Sequence, residues 1–342
     1  MTELEDMSHL PFGERLAKVM DHYGPLCVGV DPHRALLKEW GYEVDAEGAE
    51  LFGMRMLQAA RGRAGIVKYQ IPMFARFGSQ GFAALERLLY AANRMGLLTI
   101  IDAMCGGLST TVSAYADAYL KDGAPLEADA VTLLPYYGFR SLRGFIEDAI
   151  AHNKGVFCAS LTSNEEGINL QTAIRQHGEF AGESVACGVA GQAQKYNDHV
   201  DGMGSVGLIV GANVTKWIGA SGVNPAEFTG PILAPGYGWQ GGKAEDIKQV
   251  FAGTHGNVLV TVARAIATKG PDIPSLAAQI DVIQSDIKAA LAEAQTRTFN
   301  PIPEGGQPIA PDDLERHQSA QSVAADQAAA AAGDAPASQD QH

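Results

Sequence analysis

Charged side chains follow two apolar segments of the chain at positions where they could act on a small molecule. Asp102 comes directly after the apolar run 97–101, and a Ser/Thr cluster at 109–111 that could cap a helix follows it. Lys68 ends another apolar run and is a candidate ion-pair partner for Asp102. Fixed charges at strand ends are typical of active sites in β/α barrels. The alternatives are that Asp102 only caps a helix and that Lys68 lies on the surface.

A glycine-rich segment and an arginine in the last third of the chain could hold a phosphate. Gln240 lies among glycines 236, 238, 241 and 242, and Arg264 follows some 20 residues later. Glycines let backbone N–H groups approach an anion, and an arginine can bind a phosphate through two N–H groups. The alternative for the glycine segment is an ordinary strand-to-helix turn. Together with Gln240 and Arg264, its late position favours phosphate binding.

Eight apolar runs are spaced too far apart for hairpins and predict buried strands at 26–30, 65–70, 97–102, 128–132, 155–160, 206–211, 232–234 and 257–260. Helical patterns lie between them, such as the one at 80–95. Strands that alternate with helices pair in parallel through right-handed crossovers. The sequence therefore predicts the α/β class and a (β/α)8 TIM barrel, with a doubly wound open sheet as the alternative.

The chain divides into three predicted segments. Residues 1–24 hold a short amphipathic helix at 12–22, residues 25–297 form the barrel and end in a helix at 274–292, and residues 298–342 form a tail. From position 304 onward the tail carries seven acidic residues against one basic residue, Arg316. This composition predicts a disordered segment with at most a marginal helix at 328–332.

The overall composition excludes several classes of partner. A net charge of −14 argues against a nucleic-acid or anionic-membrane surface, so neither partner is expected. The sequence shows neither an apolar run of about 18 residues nor a basic-then-apolar N-terminus, which favours a soluble cytoplasmic protein without a secretory signal. The four cysteines (Cys27, Cys105, Cys158 and Cys187) lack CxxC spacing. They indicate a reducing compartment, with no disulfide framework and no metal site.

The polar residues at the predicted strand ends, taken as a set, make residues 12–291 similar to orotidine 5′-phosphate decarboxylases in their longer bacterial form. The resemblance implies that Asp31 binds ribose hydroxyls, and that Lys68 is the first lysine of a charged network. It further implies that the loop beside the pyrimidine contains Thr162, Ser163 and Asn164. The phosphate would be bound by Gln240, Gly241 and Arg264. The resemblance also implies a homodimer. This dimer would bind a pyrimidine nucleoside monophosphate or a similar phosphorylated ligand, without a cofactor or metal.

The chain departs from the family's pattern directly after Asp102. The family has Asp-x-Lys-x-x-Asp followed by a threonine, whereas this chain has Met104 in place of the lysine, Gly107 in place of the second aspartate, and then Thr111. In the family, the lysine stabilises charge at the pyrimidine carbon that loses CO2 and then protonates it, and the second aspartate comes from the partner subunit. Methionine has no proton to give. Cys105 is not expected to replace the lysine, because alternation turns it away from the face that Asp102 and Met104 share.

The sequence thus predicts a decarboxylase-like protein that binds a pyrimidine nucleotide and carries out altered, lyase-like chemistry on it. Lys68 and Asp102 are the catalytic candidates, and efficient orotidylate decarboxylation is not expected. Loss of one lysine and one aspartate leaves these two residues as a neutral pair, which avoids an unpaired buried charge. Two alternatives stay open: a non-catalytic nucleotide-binding or regulatory protein, and a slow residual decarboxylase.

Overall fold

The computed structural model describes residues 7–300, so most of the predicted tail, including the proposed helix at 328–332, lies outside the described residues. Eight parallel strands follow one another in chain order and close into a barrel. They are β1 (Leu26–Val30), β2 (Ile66–Gln70), β3 (Leu98–Cys105), β4 (Ala130–Leu133), β5 (Gly155–Leu161), β6 (Val206–Val210), β7 (Ile232–Ala234) and β8 (Val258–Val262).

Helices follow the strands around the barrel. They are α1 (Phe12–Tyr23), α2 (Arg34–Glu39), α3 (Ala46–Ala60), α4 (Ile71–Ala75), α5 (Gly78–Arg94), α6 (Ser109–Tyr119), α7 (Arg143–Ala151), α8 (Ile168–Gln171), α9 (Val185–Gln194), α10 (Ile218–Ser221), α11 (Ala244–Val250), α12 (Arg264–Ala267) and α13 (Ile273–Thr296). Within residues 7–300, none of the helices is long and apolar enough to cross a membrane.

Pairing of the first and last strands closes the sheet. In register, Leu26 of β1 lies opposite Val260 of β8, and Cys27 lies opposite Thr261. The predicted (β/α)8 barrel is therefore confirmed, and the doubly wound open sheet is excluded. Because strands buried on both faces read as continuous apolar runs, the pattern of the sequence located all eight.

Helix α1 closes the amino-terminal end of the barrel. Phe12, Leu16 and Val19 pack against side chains from the barrel interior, among them Phe157. The rings of Phe12 and Phe157 meet edge to face, with their centroids 6.0 Å apart. Gly155 allows this contact, because a Cβ there would lie 2.0 Å from the Phe12 ring. The opposite end, where the strands finish, stays open for a site.

Side-chain caps fix the start of three helices. Asp45 accepts a hydrogen bond from the N–H of Gly48 at the start of α3, and Asp272 accepts one from the N–H of Ser275 at the start of α13. Ser184 does the same for α9. These caps satisfy N–H groups that a helix cannot pair internally, and they end the preceding loops at defined residues.

The expectation for the segment after Asp102 was wrong in two respects. First, β3 continues to Cys105 instead of ending at Asp102, and its register shifts between Ile101 and Cys105. Second, the Ser/Thr cluster does not cap α6: the residue at the cap is Leu108, without a side-chain hydrogen bond. Asp102 does not cap this helix either, because its carboxylate is engaged inside the barrel.

Candidate functional site

Lys68 and Asp102 form an ion pair at the carboxyl ends of β2 and β3. The Lys68 amine donates a hydrogen bond of 2.7 Å to Asp102 Oδ2. Lys68 is only 6% exposed, so it is not a surface lysine. The second carboxylate oxygen of Asp102 accepts a hydrogen bond of 2.9 Å from the hydroxyl of Thr132 on β4. Both oxygens are thus engaged, and the carboxylate is fixed between two strands.

The surroundings of Lys68 keep its amine charged. Burial by itself lowers the pKa of this lysine, but the carboxylates of Asp102 and Asp31 and the hydrogen bond to Asp102 outweigh it and raise the pKa above its ordinary value. A buried ammonium stays charged only where opposite charges offset its lost hydration. At neutral pH, Lys68 therefore supplies positive charge and is a poor proton donor.

Met104 occupies an unusual backbone position next to this pair. Its φ is +45°, a left-handed conformation that side chains other than glycine rarely adopt. Its N–H donates a hydrogen bond of 2.9 Å to the hydroxyl of Thr132, which joins the irregular part of β3 to Asp102. The Met104 side chain is 37% exposed. The bulge therefore presents a polarizable but non-ionisable side chain at the open end of the barrel.

Cys105 points into the protein interior. Burial raises the pKa of its thiol to about 12. The thiol is thus neutral and inaccessible, which agrees with the expectation that Cys105 does not replace a catalytic lysine. The physical reason is burial, because the bulge at Met104 interrupts the simple alternation on which the expectation depended.

Asp31 follows β1 and faces the other charges of the site. One of its carboxylate oxygens is buried and has no hydrogen-bond partner within residues 7–300. The charge of Asp31 acts on Lys68, His33 and Arg264. Burial lowers the pKa of His33, an effect that Asp31 opposes and Arg264 reinforces. An unpaired buried carboxylate oxygen is costly, so Asp31 is suited to accept a hydrogen bond from a ligand.

The glycine segment after β7 forms a compact loop that is closed by its own backbone. The N–H groups of Gly238, Gly241 and Gly242 donate hydrogen bonds to carbonyl groups of the same loop, at 2.8 to 3.0 Å. These N–H groups are therefore engaged in the loop's own structure. The N–H groups of Trp239 and Gln240 at the tip have no such partner in the described part of the chain. An anion here would meet the tip of the loop.

Arg264 lies beside this loop, directly after β8. Its guanidinium carbon is 5.2 Å from the centre of the Trp239 ring. Burial lowers the pKa of Arg264, while Asp31 opposes the shift. Within residues 7–300, the guanidinium makes no hydrogen bond or ion pair to a protein side chain. It is therefore a partly desolvated cation whose N–H donors remain available.

The three predicted residues that follow β5 do not have equal freedom. The hydroxyl of Thr162 donates to Asn164 Oδ1 at 2.6 Å, and Gln171 donates to the same hydroxyl at 2.7 Å. Ser163 instead reaches across to the glycine loop, where its hydroxyl donates to Gln240 Oε1 at 3.1 Å. The structure thus links the predicted pyrimidine and phosphate loops through Ser163.

Asn213, after β6, strengthens this link and was missed in the sequence. Its Nδ2 donates to the carbonyl of Ser163 at 3.1 Å and to the carbonyl of Gln240 at 3.3 Å. Gln171 and Thr132 were also missed. No sequence motif marks these residues, but each lies at or after a strand end, where the barrel topology places residues around one opening.

Thr111 and Gly107 follow β3 and make no hydrogen bond to Lys68 or Asp102 in the described part of the chain. Thr111 is exposed in the first turn of α6, and its N–H donates to the Leu108 carbonyl at 2.9 Å. Gly107 has φ +147°, which favours glycine, although a Cβ would find no atom closer than 3.6 Å. Large apolar side chains are exposed on this loop and on the loop after β4. We call them the apolar rim: Leu108, Leu134, Tyr136 and Tyr137.

A separate cleft of about 830 Å³ lies at the amino-terminal ends of β3 and β4. Two carboxylates that line it are paired: Asp129 with Arg15 at 2.5 Å, and Glu127 with Lys154 at 2.6 Å. Residues 7–300 contain no group of three or more His, Cys, Asp or Glu side chains that could hold a metal ion. The open polar groups therefore gather at the carboxyl ends of the strands.

Comparison with known proteins gives consistent results. Residues 24–279 match the model of the "Orotidine 5′-phosphate decarboxylase / HUMPS family". The orotidine 5′-phosphate decarboxylase of Salinispora tropica is 41% identical over 280 residues, which cover 82% of this chain and 98% of that protein. The corresponding protein of Streptomyces coelicolor is 38% identical over 281 residues, with the same coverage.

A solved structure from Streptomyces avermitilis, described as an orotidine 5′-phosphate decarboxylase, superposes with a TM-score of 0.75. It is 37% identical, and the match covers 84% of this chain and 98% of that one. Sequence and fold thus agree over the barrel.

Proposed function

Because the chain belongs to the orotidine 5′-phosphate decarboxylase / HUMPS family, we propose that it binds a pyrimidine nucleoside monophosphate at the carboxyl ends of its strands. The observation that carries the proposal is the Arg264 guanidinium, which is partly buried beside the glycine loop and has no anion partner among residues 7–300. A phosphate would supply that anion. A ribose hydroxyl would likewise satisfy the buried oxygen of Asp31.

In this proposal the remaining predicted residues surround the base and the phosphate. Gln240 and Gly241 lie in the phosphate loop, and Thr162, Ser163 and Asn164 line the side where the pyrimidine would sit. The hydrogen bond from Ser163 to Gln240 supports a single site that includes both loops. Thr111 has the weakest support, because it is exposed in the first turn of α6.

We further infer that the chain does not decarboxylate orotidylate efficiently. Met104 stands where the family motif has its proton-donating lysine, and Gly107 stands where the motif has its second aspartate. Met104 cannot donate a proton, and the raised pKa of Lys68 makes that amine a poor substitute. General-acid help contributes ~10²–10⁴ to a rate, and preorganised charge often contributes more. An altered reaction on the same class of nucleotide is therefore our leading proposal.

Calorimetry with UMP and uridine tests the binding proposal. UMP is expected to bind much more tightly, and Arg264→Ala should remove most of that preference, at a cost of ~2–3 kcal/mol for a lost charge-assisted hydrogen bond. Arg63→Ala, which breaks only the exposed ion pair with Asp281, is the matched control. Equal affinity of the wild type for UMP and uridine would contradict the proposal.

Mass analysis of products tests the chemistry. Purified protein is incubated with orotidylate, UMP and related nucleotides, alongside Asp102→Asn. A product that forms with the wild type and not with the variant would support an enzyme in which the Lys68–Asp102 pair acts. Tight binding without any product would favour a nucleotide-binding or regulatory protein instead. Decarboxylation at the rate of a family enzyme with the intact motif would refute the inference of altered chemistry.

We also propose that the chain forms a homodimer through the apolar rim. Its tyrosines, Tyr136 and Tyr137, are 71% and 64% exposed, and the rim borders the candidate site. The two loops of the rim are joined by a hydrogen bond of 2.9 Å from the N–H of Leu134 to the carbonyl of Cys105. Clustered exposed apolar side chains of this kind mark interaction surfaces.

A further inference from the structure

Trp239 lies at the tip of the glycine loop with its ring against the guanidinium of Arg264. The ring is 59% exposed, so the surrounding protein does not bury it as a core residue. The guanidinium carbon lies 5.2 Å from the ring centre, within the range of a cation–π contact. Trp239 therefore contacts Arg264 while most of its own surface remains exposed.

A guanidinium can contact an aromatic ring and an anion at the same time, because it uses different parts of the group for each. Its flat face stacks on aromatic rings, whereas its five N–H groups point outward in the plane. With its carbon 5.2 Å from the centre of the Trp239 ring, the Arg264 guanidinium can turn its face to the ring and keep its N–H donors available. Within residues 7–300, no protein side chain accepts a hydrogen bond from this group, and Asp31 acts on it only through its charge.

The loop that carries Trp239 is itself fixed at several points. Gln240 is held by Ser163 and Asn213 on one side of the opening. On the other side the loop approaches α12 closely, because a Cβ on Gly238 would lie 3.3 Å from Ala265 Cβ. The loop that carries Trp239 is thus held in place on both sides, and the position of its ring is restricted.

We propose that Trp239 is the positioning residue for phosphate binding: it holds the Arg264 guanidinium by its face so that the N–H edge meets the phosphate. This inference rests on the proposed function, since it names the residue that prepares the same phosphate site. Trp239 acts through Arg264. Preorganising one rotamer-rich arginine lowers the entropy that binding has to overcome.

The test compares the affinities of UMP and uridine in Trp239→Leu and Trp239→Phe. Leucine keeps apolar cover without a π face, and phenylalanine keeps a weaker one. Trp239→Leu should weaken UMP about five-fold and Trp239→Phe about two-fold, on the scale of a half-exposed cation–π contact, with uridine unchanged. Tyr90→Leu is the matched control, because Tyr90 is an exposed aromatic residue of α5 that lines the cleft at the opposite, amino-terminal end of the barrel.

A double-mutant cycle separates positioning from loop structure. In an Arg264→Lys background, which keeps the charge but loses the flat face, Trp239→Leu should have little further effect on UMP. Intrinsic fluorescence gives a second readout. The chain has three tryptophans, and UMP should change the emission of the wild type but not that of Trp239→Phe.

The remaining outcomes would contradict either the role of Trp239 or the phosphate site itself. If Trp239→Leu binds UMP like the wild type, or loses UMP and uridine affinity in equal proportion, Trp239 does not position Arg264. If the effects of Trp239→Leu and Arg264→Lys on UMP affinity are fully additive, Trp239 likewise does not position Arg264. If the wild type itself does not distinguish UMP from uridine, the proposed phosphate site fails, and the inference about Trp239 fails with it.

Discussion

Asp102→Asn removes the charge that pairs Lys68 while it keeps the shape of the side chain. In the wild type, each Asp102 oxygen accepts one hydrogen bond, from Lys68 and from Thr132. Asparagine can retain both contacts if its oxygen faces Lys68 and its amide donates to the hydroxyl of Thr132. The loss is therefore mainly electrostatic. Breaking a buried ion pair costs ~3–5 kcal/mol, and the retained contacts place the expected cost near the lower end, which corresponds to a Tm lower by ~6–12 °C.

The pH dependence of this cost gives a sharper test than its size. In the wild type the folded pKa of Lys68 lies above its unfolded value, so this stabilisation is fully present below pH ~10.4 and is lost as the pH rises through the folded pKa. In the variant, burial without Asp102 should bring the folded pKa of Lys68 below its unfolded value. Stability of the variant should then rise with pH between those two values, by at most ~1.4 kcal/mol per pH unit.

Urea unfolding at pH 7 and pH 9.5 measures both effects. The difference in unfolding free energy between wild type and Asp102→Asn should be ~3 kcal/mol at pH 7 and smaller at pH 9.5. Asp281→Asn is the control, because its ion pair with Arg63 is exposed and such pairs contribute ~0–1 kcal/mol. A cost below ~1 kcal/mol, or a cost that grows with pH, would refute the argument that Asp102 offsets a buried ammonium.

Three further predictions concern the same end of the barrel. Thr132→Val should lower the unfolding free energy by ~1–3 kcal/mol in urea titrations, because Asp102 and the Met104 N–H each lose a hydrogen-bond partner. Thr296→Val, at an exposed position in the last turn of α13, should change it little. Met104→Lys alone should restore little orotidylate decarboxylation in a CO2-release assay, because a second ammonium near Lys68 adds like-charge repulsion, and a full rescue would contradict this. Tyr137→Asp should convert a dimer to a monomer in sedimentation equilibrium, and an unchanged mass would remove the apolar rim as the interface.

Hydrophobic pattern alone was enough to predict the barrel. The runs at 26–30 and 232–234 coincide with β1 and β7, since strands buried on both faces leave no polar residue in their sequence. Helix limits were predicted less closely: α13 extends over Ile273–Thr296 rather than 274–292. Periodicity marks the buried face of a helix, whereas its last turns depend on contacts that the pattern does not encode.

The residues of the candidate site could be proposed from the sequence, but the hydrogen bonds that join them could not. Lys68 and Asp102 could be suspected from their positions, yet the hydroxyl of Thr132 and the amide of Asn213 act across strands 30 and more residues apart in sequence. Such contacts depend on strand register, which a single sequence does not reveal. The left-handed backbone of Met104 was equally hidden, because methionine has no preference for that conformation.

The proposed paired replacement of a lysine and an aspartate agrees with the electrostatics of the opening. A charged network of two lysines and two aspartates is neutral, and removing only one member would leave an uncompensated charge in a site where Lys68 is almost fully buried. Removing one of each sign leaves Lys68 and Asp102, which satisfy each other, while Thr132 takes the remaining oxygen. The fold would therefore tolerate the proposed loss of the proton donor without losing its remaining fixed charges. Under the proposed function, an opening of this kind still binds and polarises a nucleotide, and the Lys68–Asp102 pair is where we expect any altered chemistry to begin.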